Sequence, residues 1–174
     1  AALVPAFGGP LLFLPIHIVW LELIIHPSAM LGFQSEAADG EGGAPTRAGQ
    51  MFDARAWWRL LFGGSFGCAA VLLAQALPGW FASGDFDSAH RALALAALVA
   101  FSAVVLIGLG RNRSAGLIAA LSVASLALTL WPAAAGVLGT TATAFAPLLV
   151  ALALGAIAAM AALALRPLGR ARAS

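Results

Sequence analysis

The sequence contains no lysine and a single cysteine, and only 9% of its residues are charged. A soluble domain carries roughly a quarter charged residues, because a surface that faces water needs them. The low charge therefore excludes an ordinary soluble domain. The absence of lysine excludes a phosphate-binding Walker motif. One cysteine, Cys68, excludes both a disulfide framework and a metal cluster held by thiolates.

Apolar residues make up 62% of the chain and are gathered into long runs. A helix that spans a bilayer needs about 20 mostly apolar residues, and five windows meet this requirement. Barrel strands would show shorter alternating segments instead. The sequence therefore predicts an all-α fold, a polytopic transmembrane helical bundle that forms one domain over residues 1–174. Its predicted spans are 11–33, 57–77, 92–110, 115–138 and 145–165.

The arginines lie between the apolar runs, including a predicted polar loop at 35–56 and a basic tail at 166–174. If five helices alternate in direction, eight of the nine arginines fall on one side and only Arg91 on the other. The positive-inside rule makes the arginine-rich side cytoplasmic. The C-terminus is then cytoplasmic and the N-terminus lies outside. Because no signal peptide begins the chain, this topology predicts a preceding helix and a longer parent protein.

The excess of basic over acidic residues does not predict a nucleic-acid partner, because the arginines form no patch interleaved with aromatic residues. The expected partner of the apolar surface is the lipid bilayer. An alanine-, leucine- and arginine-rich composition is typical of a GC-rich genome. We therefore expect an integral protein of the bacterial plasma membrane.

Two ionisable residues, Glu22 and His26, lie inside the first predicted span. Such residues are expensive in a bilayer and are functional candidates for that reason. Their spacing of four residues puts both side chains on one helix face. They are candidates for binding an ion or sharing a proton, and equally for holding the helix to a neighbour. The remaining spans contain almost no polar residue at mid-depth, which favours a scaffold role.

Two prolines, Pro15 and Pro27, frame this segment and are helix-break candidates. A proline within a helix removes a backbone donor and opens the hydrogen-bond ladder. Carbonyls freed at such a break bind cations in discontinuous transporter helices. His17 points away from the Glu22 face, and we expect it to lie near the outer membrane surface.

A resemblance is carried by residues 9–23, which read Gly-Pro-Leu-Leu-Phe-Leu-Pro-Ile-His-Ile-Val-Trp-Leu-Glu-Leu. This stretch resembles the entry to the sixth membrane helix of P-type cation-transporting ATPases. That family typically has Leu-Pro-Ile/Val-Gln, then Leu-Trp, then a short polar run and Asp-Gly-Leu-Pro. The later spans are similar in spacing to the rest of the family's C-terminal membrane domain. The specific motif covers only residues 9–34, whereas the layout covers the chain.

The resemblance implies an ion site in the first helix, with altered ligands. Glu22 falls where calcium and sodium pumps have an asparagine ligand, and Ile25 on a ligand threonine. His26 falls on the ligand aspartate, and Pro27 replaces the glycine after it. Calcium and sodium favour hard oxygen ligands, whereas imidazole suits softer metals. The resemblance therefore leaves the ion open: a cation bound at a shifted site, a proton, or no ion.

The resemblance also implies ATP and Mg²⁺ for the parent protein, although no cofactor is expected in this chain. P-type pumps phosphorylate the aspartate of an Asp-Lys-Thr-Gly motif, and the chain has no lysine. No catalytic residue is therefore predicted here, and the N-terminal pump domains and preceding membrane helices are the implied partners. Two alternatives stay open. One is a stand-alone membrane subunit or interaction module, and the other is an inactive pump remnant.

Overall fold

The computed structural model describes residues 13–22, 54–76, 86–109, 113–140 and 144–164. Every regular element in these ranges is a helix, which confirms the all-α prediction. Helix α1 covers residues 15–22. The later elements are α2 (Ala54–Ala76), α3 (Phe86–Leu109), α4 (Arg113–Ser125), a 3-10 helix (Leu126–Leu130), α5 (Pro132–Val137) and α6 (Phe145–Ala164).

The surface of the described bundle is strongly apolar. Within the described residues, two segments are long and apolar enough to cross a membrane, Ser88–Gly108 and Phe145–Ala164. Leu61–Ala76 and Ala115–Leu130 are shorter apolar helices. Large hydrophobic side chains point outward from several helices, and soluble monomers rarely expose so many together. Examples are Trp57, Trp58, Leu61, Leu73, Leu117, Leu121, Leu149 and Ile157.

Helix α3 is the central element, because α2, α4 and α6 all pack against it. Its consecutive residues Leu93 to Ala97 are at most 2% exposed, so this part of the helix is covered on every side. Such all-round burial is available only to a helix whose whole circumference is apolar. Helices α2 and α6 also pack against each other, which closes a three-helix core.

Small residues let these three helices approach closely. A Cβ atom added at Gly155 in α6 would collide with the backbone carbonyl of Ala97 in α3 and meet the Ala100 Cβ at 3.0 Å. A Cβ atom at Gly67 in α2 would lie 3.1 Å from the Phe101 ring. Close backbone approach at small residues is the usual way in which membrane helices gain packing contacts. Gly155 therefore fixes the distance between α3 and α6.

The fourth predicted span is not one continuous helix. Helix α4 ends at Ser125, a 3-10 helix follows to Leu130, and α5 starts at Pro132. Trp131 between them has extended backbone angles, with φ −92° and ψ 117°. The cause is Pro132, because a proline ring disfavours the helical conformation at the preceding residue and is tolerated at the first helical position. The continuous helix predicted over 115–138 is thus divided at this proline.

Helix α5 ends in a turn that only glycine adopts without strain. Gly139 has a φ of +64°. Its N–H donates to the Gly136 carbonyl at 3.1 Å, and the Thr140 N–H donates to the Ala135 carbonyl at 2.9 Å. This pair of bonds is the Schellman motif, which satisfies carbonyls left open at a helix end. The Thr140 hydroxyl donates to the same Ala135 carbonyl at 3.2 Å.

We expect Gly139→Ala to lower the free energy of unfolding by about 1–2 kcal/mol, the cost of placing an L-residue in the left-handed region. The new Cβ would also displace the end of the Leu14 side chain, which lies 2.5 Å from its position. Gly136→Ala in the same helix is the matched control, because a Cβ there meets nothing within 4 Å. Unfolding in mixed detergent measures both variants. Equal stability of the two variants would contradict this account of the turn.

Candidate functional site

The first helix begins with an unusual cap. The Leu14 carbonyl accepts from the His17 N–H at 2.9 Å and from the Ile18 N–H at 3.3 Å, so Leu14 is the N-cap residue. Pro15 follows at the first helical position. Proline is tolerated there because the N–H that it lacks would have no partner within the helix. His17 is then the third helical residue. In a capping box this residue accepts a hydrogen bond from the N-cap backbone N–H.

The His17 imidazole makes this bond. Its Nδ1 accepts from the Leu14 N–H at 3.1 Å. The side chain is 0% exposed, and its ring lies edge-on to Phe13 with 6.3 Å between the ring centroids. The other ring nitrogen, Nε2, is buried and has no hydrogen-bond partner in the part of the chain that the structure describes. Among the described residues, the Leu138 backbone and the Arg91 side chain also act on the ring, with opposite effects on its protonation.

Arg91 joins this site from the start of α3. Its guanidinium donates to the Gly139 carbonyl at 3.3 Å. The Gly139 turn also touches α1, since the space beside Gly139 is filled by the Leu14 side chain. Three parts of the chain therefore meet here: the start of α1, the start of α3 and the end of α5. We call His17, Arg91 and residues 138–140 the His17 cluster.

Glu22 is the last described residue of α1, and its side chain is exposed. It lies five positions after His17, which places the two side chains about 140° apart around the helix. Phe13, Trp20 and Leu21 pack on the hydrophobic core, whereas Ile18 and Val19 are exposed. The helix thus has one face that contacts the bundle and includes His17, and an open side that includes Glu22.

The sequence matches a known protein family over most of its length. The family model described as cation transporting ATPase, C-terminus, matches residues 10–168. The chain belongs to this family. No curated protein and no solved structure matched the chain. Membership of the cation-transporting ATPase family confirms the resemblance seen at residues 9–34, and it identifies the bundle as the family's C-terminal membrane domain.

The family assignment gives each predicted site residue a context, while its role stays a prediction. Glu22 is present on the open side of the first helix of this ATPase domain. The described part of α1 begins at Pro15, and a helix break at this proline stays a prediction. His26 and Pro27 lie outside the described residues, as does Ile25. The Glu22–His26 pairing and the break at Pro27 therefore remain predictions.

The His17 cluster of this membrane domain was not predicted from the sequence. His17 was expected near the membrane surface, and its burial shows in addition that protein covers it on all sides. One local signal was available: Pro15 often marks the first helical position, so His17 two residues later occupies the capping-box position. The contribution of Arg91 and the α5 turn had no such signal, because their approach depends on how distant segments pack.

Proposed function

We propose that this chain is the membrane domain of an ATP-driven P-type cation pump, in which α1 contributes to the ion site. Glu22, together with His26, would bind the transported cation. The observation that carries the proposal is the position of Glu22, the one carboxylate within the five predicted spans. In this family's domain it lies on the side of α1 that the bundle leaves open. The preceding membrane helices of the parent protein would cover that side and complete the site.

The remaining helices would act as a scaffold. Helices α2, α3 and α6 form the packed core, and hydroxyl groups there and in α4 are used within their own helices. Ser65 donates to the Leu61 carbonyl at 2.7 Å, and Ser122 donates to the Ile118 carbonyl at 2.7 Å. The buried Thr129 donates to the Leu126 carbonyl at 2.6 Å. Such bonds to the preceding turn give each hydroxyl proton a partner in an apolar environment.

The cation at Glu22 is proposed to differ from the calcium or sodium of the better-known pumps. A carboxylate and an imidazole on one helix face suit a softer divalent metal or a proton better than they suit calcium. ATP and Mg²⁺ would be used by the N-terminal domains of the parent protein. These domains and the lipid bilayer are the proposed partners, and the proposed location is the bacterial plasma membrane.

Five membrane crossings with the C-terminus in the cytoplasm are part of the proposal. The two long apolar helices support crossings at Ser88–Gly108 and Phe145–Ala164, and the arginine distribution supports the orientation. Single cysteines introduced into the loop at 35–56 and the tail at 166–174 of a Cys68→Ser protein should resist a membrane-impermeant thiol reagent added outside intact cells. A cysteine at Asp85 should react. Labelling of the tail from outside would contradict the orientation.

The pump proposal is tested by cation-stimulated ATP hydrolysis. The full-length protein, purified and returned to lipid vesicles, should hydrolyse ATP faster with at least one cation from a series of monovalent and divalent ions. An Asp-Lys-Thr-Gly motif encoded before Ala1 in the same reading frame is a further expectation. Finding no such motif would favour the stand-alone subunit, and a motif without stimulation by any cation would favour the inactive remnant.

A further inference from the structure

The His17 cluster suggests how α1 is held in place. Its N-cap residue is Leu14, whose side chain has no acceptor for the open N–H groups of a helix start. In the part of the chain that the structure describes, a side chain bonds to this helix start through Nδ1 of His17, which accepts from the Leu14 N–H. The same ring lies edge-on to Phe13, and the Leu138 backbone at the end of α5 and the Arg91 charge both act on it. One side chain therefore caps α1 at the place where the start of this helix meets the α5 turn.

This bond exists in only one protonation state of the imidazole. A nitrogen that accepts a hydrogen bond carries no proton, so the proton of the neutral ring is on Nε2. Protonation of the ring would place a second N–H against the Leu14 N–H. The bond would then be replaced by repulsion between two donors.

Three features of the surroundings oppose a positive charge at this position, whereas the Leu138 backbone favours one. The ring is fully buried, and burying an unpaired charge is strongly unfavourable. It lies at a helix N-terminus, which is the positive end of the helix dipole. Among the described residues, the charged group that acts on it is Arg91 of α3, which follows the half-buried His90. The α5 turn contributes backbone groups and Thr140 but no titratable side chain, and Glu22 lies on the other side of α1.

We propose that neutral His17 is the positioning residue of the first helix, and that its protonation releases the start of α1 from α3 and the α5 turn. The bond that breaks on protonation is the Leu14 N–H to Nδ1 bond. The proton comes from water at low pH. Acidification would therefore loosen the end of the helix that precedes Glu22, while the α2–α3–α6 core keeps its contacts. This proposal rests on the geometry of α1 and does not require that the protein transports an ion.

The first test is amide hydrogen exchange in the full-length protein in lipid bilayers, with each rate divided by the intrinsic rate at the same pH. Lowering the pH should reduce the protection of residues 14–18 about fivefold in the wild type, the size expected for the loss of one helix cap. In His17→Gln this drop should disappear. Glutamine accepts the same backbone bond in a capping box and does not titrate. In His17→Leu protection should be low at every pH.

Residues Phe145–Ala164 of α6 serve as the internal control, because their protection should not change with pH in any variant. An equal drop in wild type and His17→Gln would overturn the proposal. So would a drop in the wild type that extends to α6, since this would mean general unfolding. A second measurement tests the tautomer of the ring rather than the protection of the helix. In the ¹⁵N spectrum of ring-labelled histidine, the His17 signals are those that disappear in His17→Gln. At neutral pH these signals should show an unprotonated Nδ1 and a protonated Nε2. The opposite tautomer would also overturn the proposal.

Discussion

Gly155→Ala is expected to destabilise the domain by about 3 kcal/mol, at the upper end of the usual cost of overpacking. A methyl group at this position would overlap the backbone carbonyl of Ala97 and press on the Cβ of Ala100. Neither obstacle has a rotamer to change, so the strain can be relieved only if α6 moves away from α3. These two helices have the most extensive contact in the described bundle, so their separation would loosen the three-helix core.

Gly64→Ala is the matched control for this substitution. Both glycines lie within long helices, but a Cβ at Gly64 would meet nothing within 4 Å. Replacing a helix glycine by alanine gains about 0.5–1 kcal/mol in backbone conformational entropy when there is space. The two variants are thus expected to change stability in opposite directions. The free energy of unfolding in mixed detergent micelles measures both, and an unchanged or raised stability of Gly155→Ala would contradict the packing of α3 against α6.

Glu22→Gln is expected to raise the cation concentration needed for half-maximal ATP hydrolysis by at least about tenfold in the full-length pump, which corresponds to roughly 1.4 kcal/mol of lost binding free energy. The amide keeps the size and the oxygen of the carboxylate but removes its negative charge. In a water-poor site that charge is worth more than at a surface, because the local dielectric constant is lower. The maximal rate at saturating cation should fall less than the apparent affinity.

Glu41→Gln makes the same chemical change in the predicted loop at 35–56, outside the predicted spans. It should leave the cation dependence unchanged. Unfolding measurements on Glu22→Gln separate loss of a ligand from loss of the fold. A cation dependence identical to that of the wild type would reject Glu22 as a ligand. It would favour the alternative in which Glu22 and His26 only hold helices together.

Hydropathy predicts a helix where an apolar run is long enough to form one. The fifth window, 145–165, corresponds to Phe145–Ala164. Helix α3 begins at Phe86, before the predicted window at 92–110, because polar residues such as Ser88 and His90 extend the helix beyond its apolar part. The apolar window therefore predicts the part of a helix suited to lipid, not where the helix begins.

The division at Trp131 and Pro132 could not be predicted from hydropathy, since both residues are compatible with an apolar run. The signal was the proline itself, which restricts the residue before it. Whether a proline bends a helix or ends it depends on whether neighbouring groups can satisfy the freed backbone atoms. Here the Trp131 N–H turns to the Leu128 carbonyl at 3.3 Å and a new helix starts at Pro132.

The candidate site was predicted in part. The apolar surroundings of Glu22 in the sequence were enough to select it, and the family match supports the domain to which it belongs. The His17 cluster also includes Arg91 and the Gly139 turn, which lie far along the chain. The spacing of residues within one helix predicts which of them share a face. It does not predict which face the rest of the protein covers, because that depends on the packing of other helices.

The central claim is that the transported cation binds at Glu22 on the first helix of this domain. Modification of Glu22 by an apolar carbodiimide, quantified by mass spectrometry of the full-length protein, tests the claim directly. The reagent reacts with carboxyl groups in apolar surroundings, and a bound cation should block it. The account predicts that the cation that stimulates ATP hydrolysis protects Glu22 over the same concentration range. Equal modification of Glu22 at every concentration of that cation would contradict it.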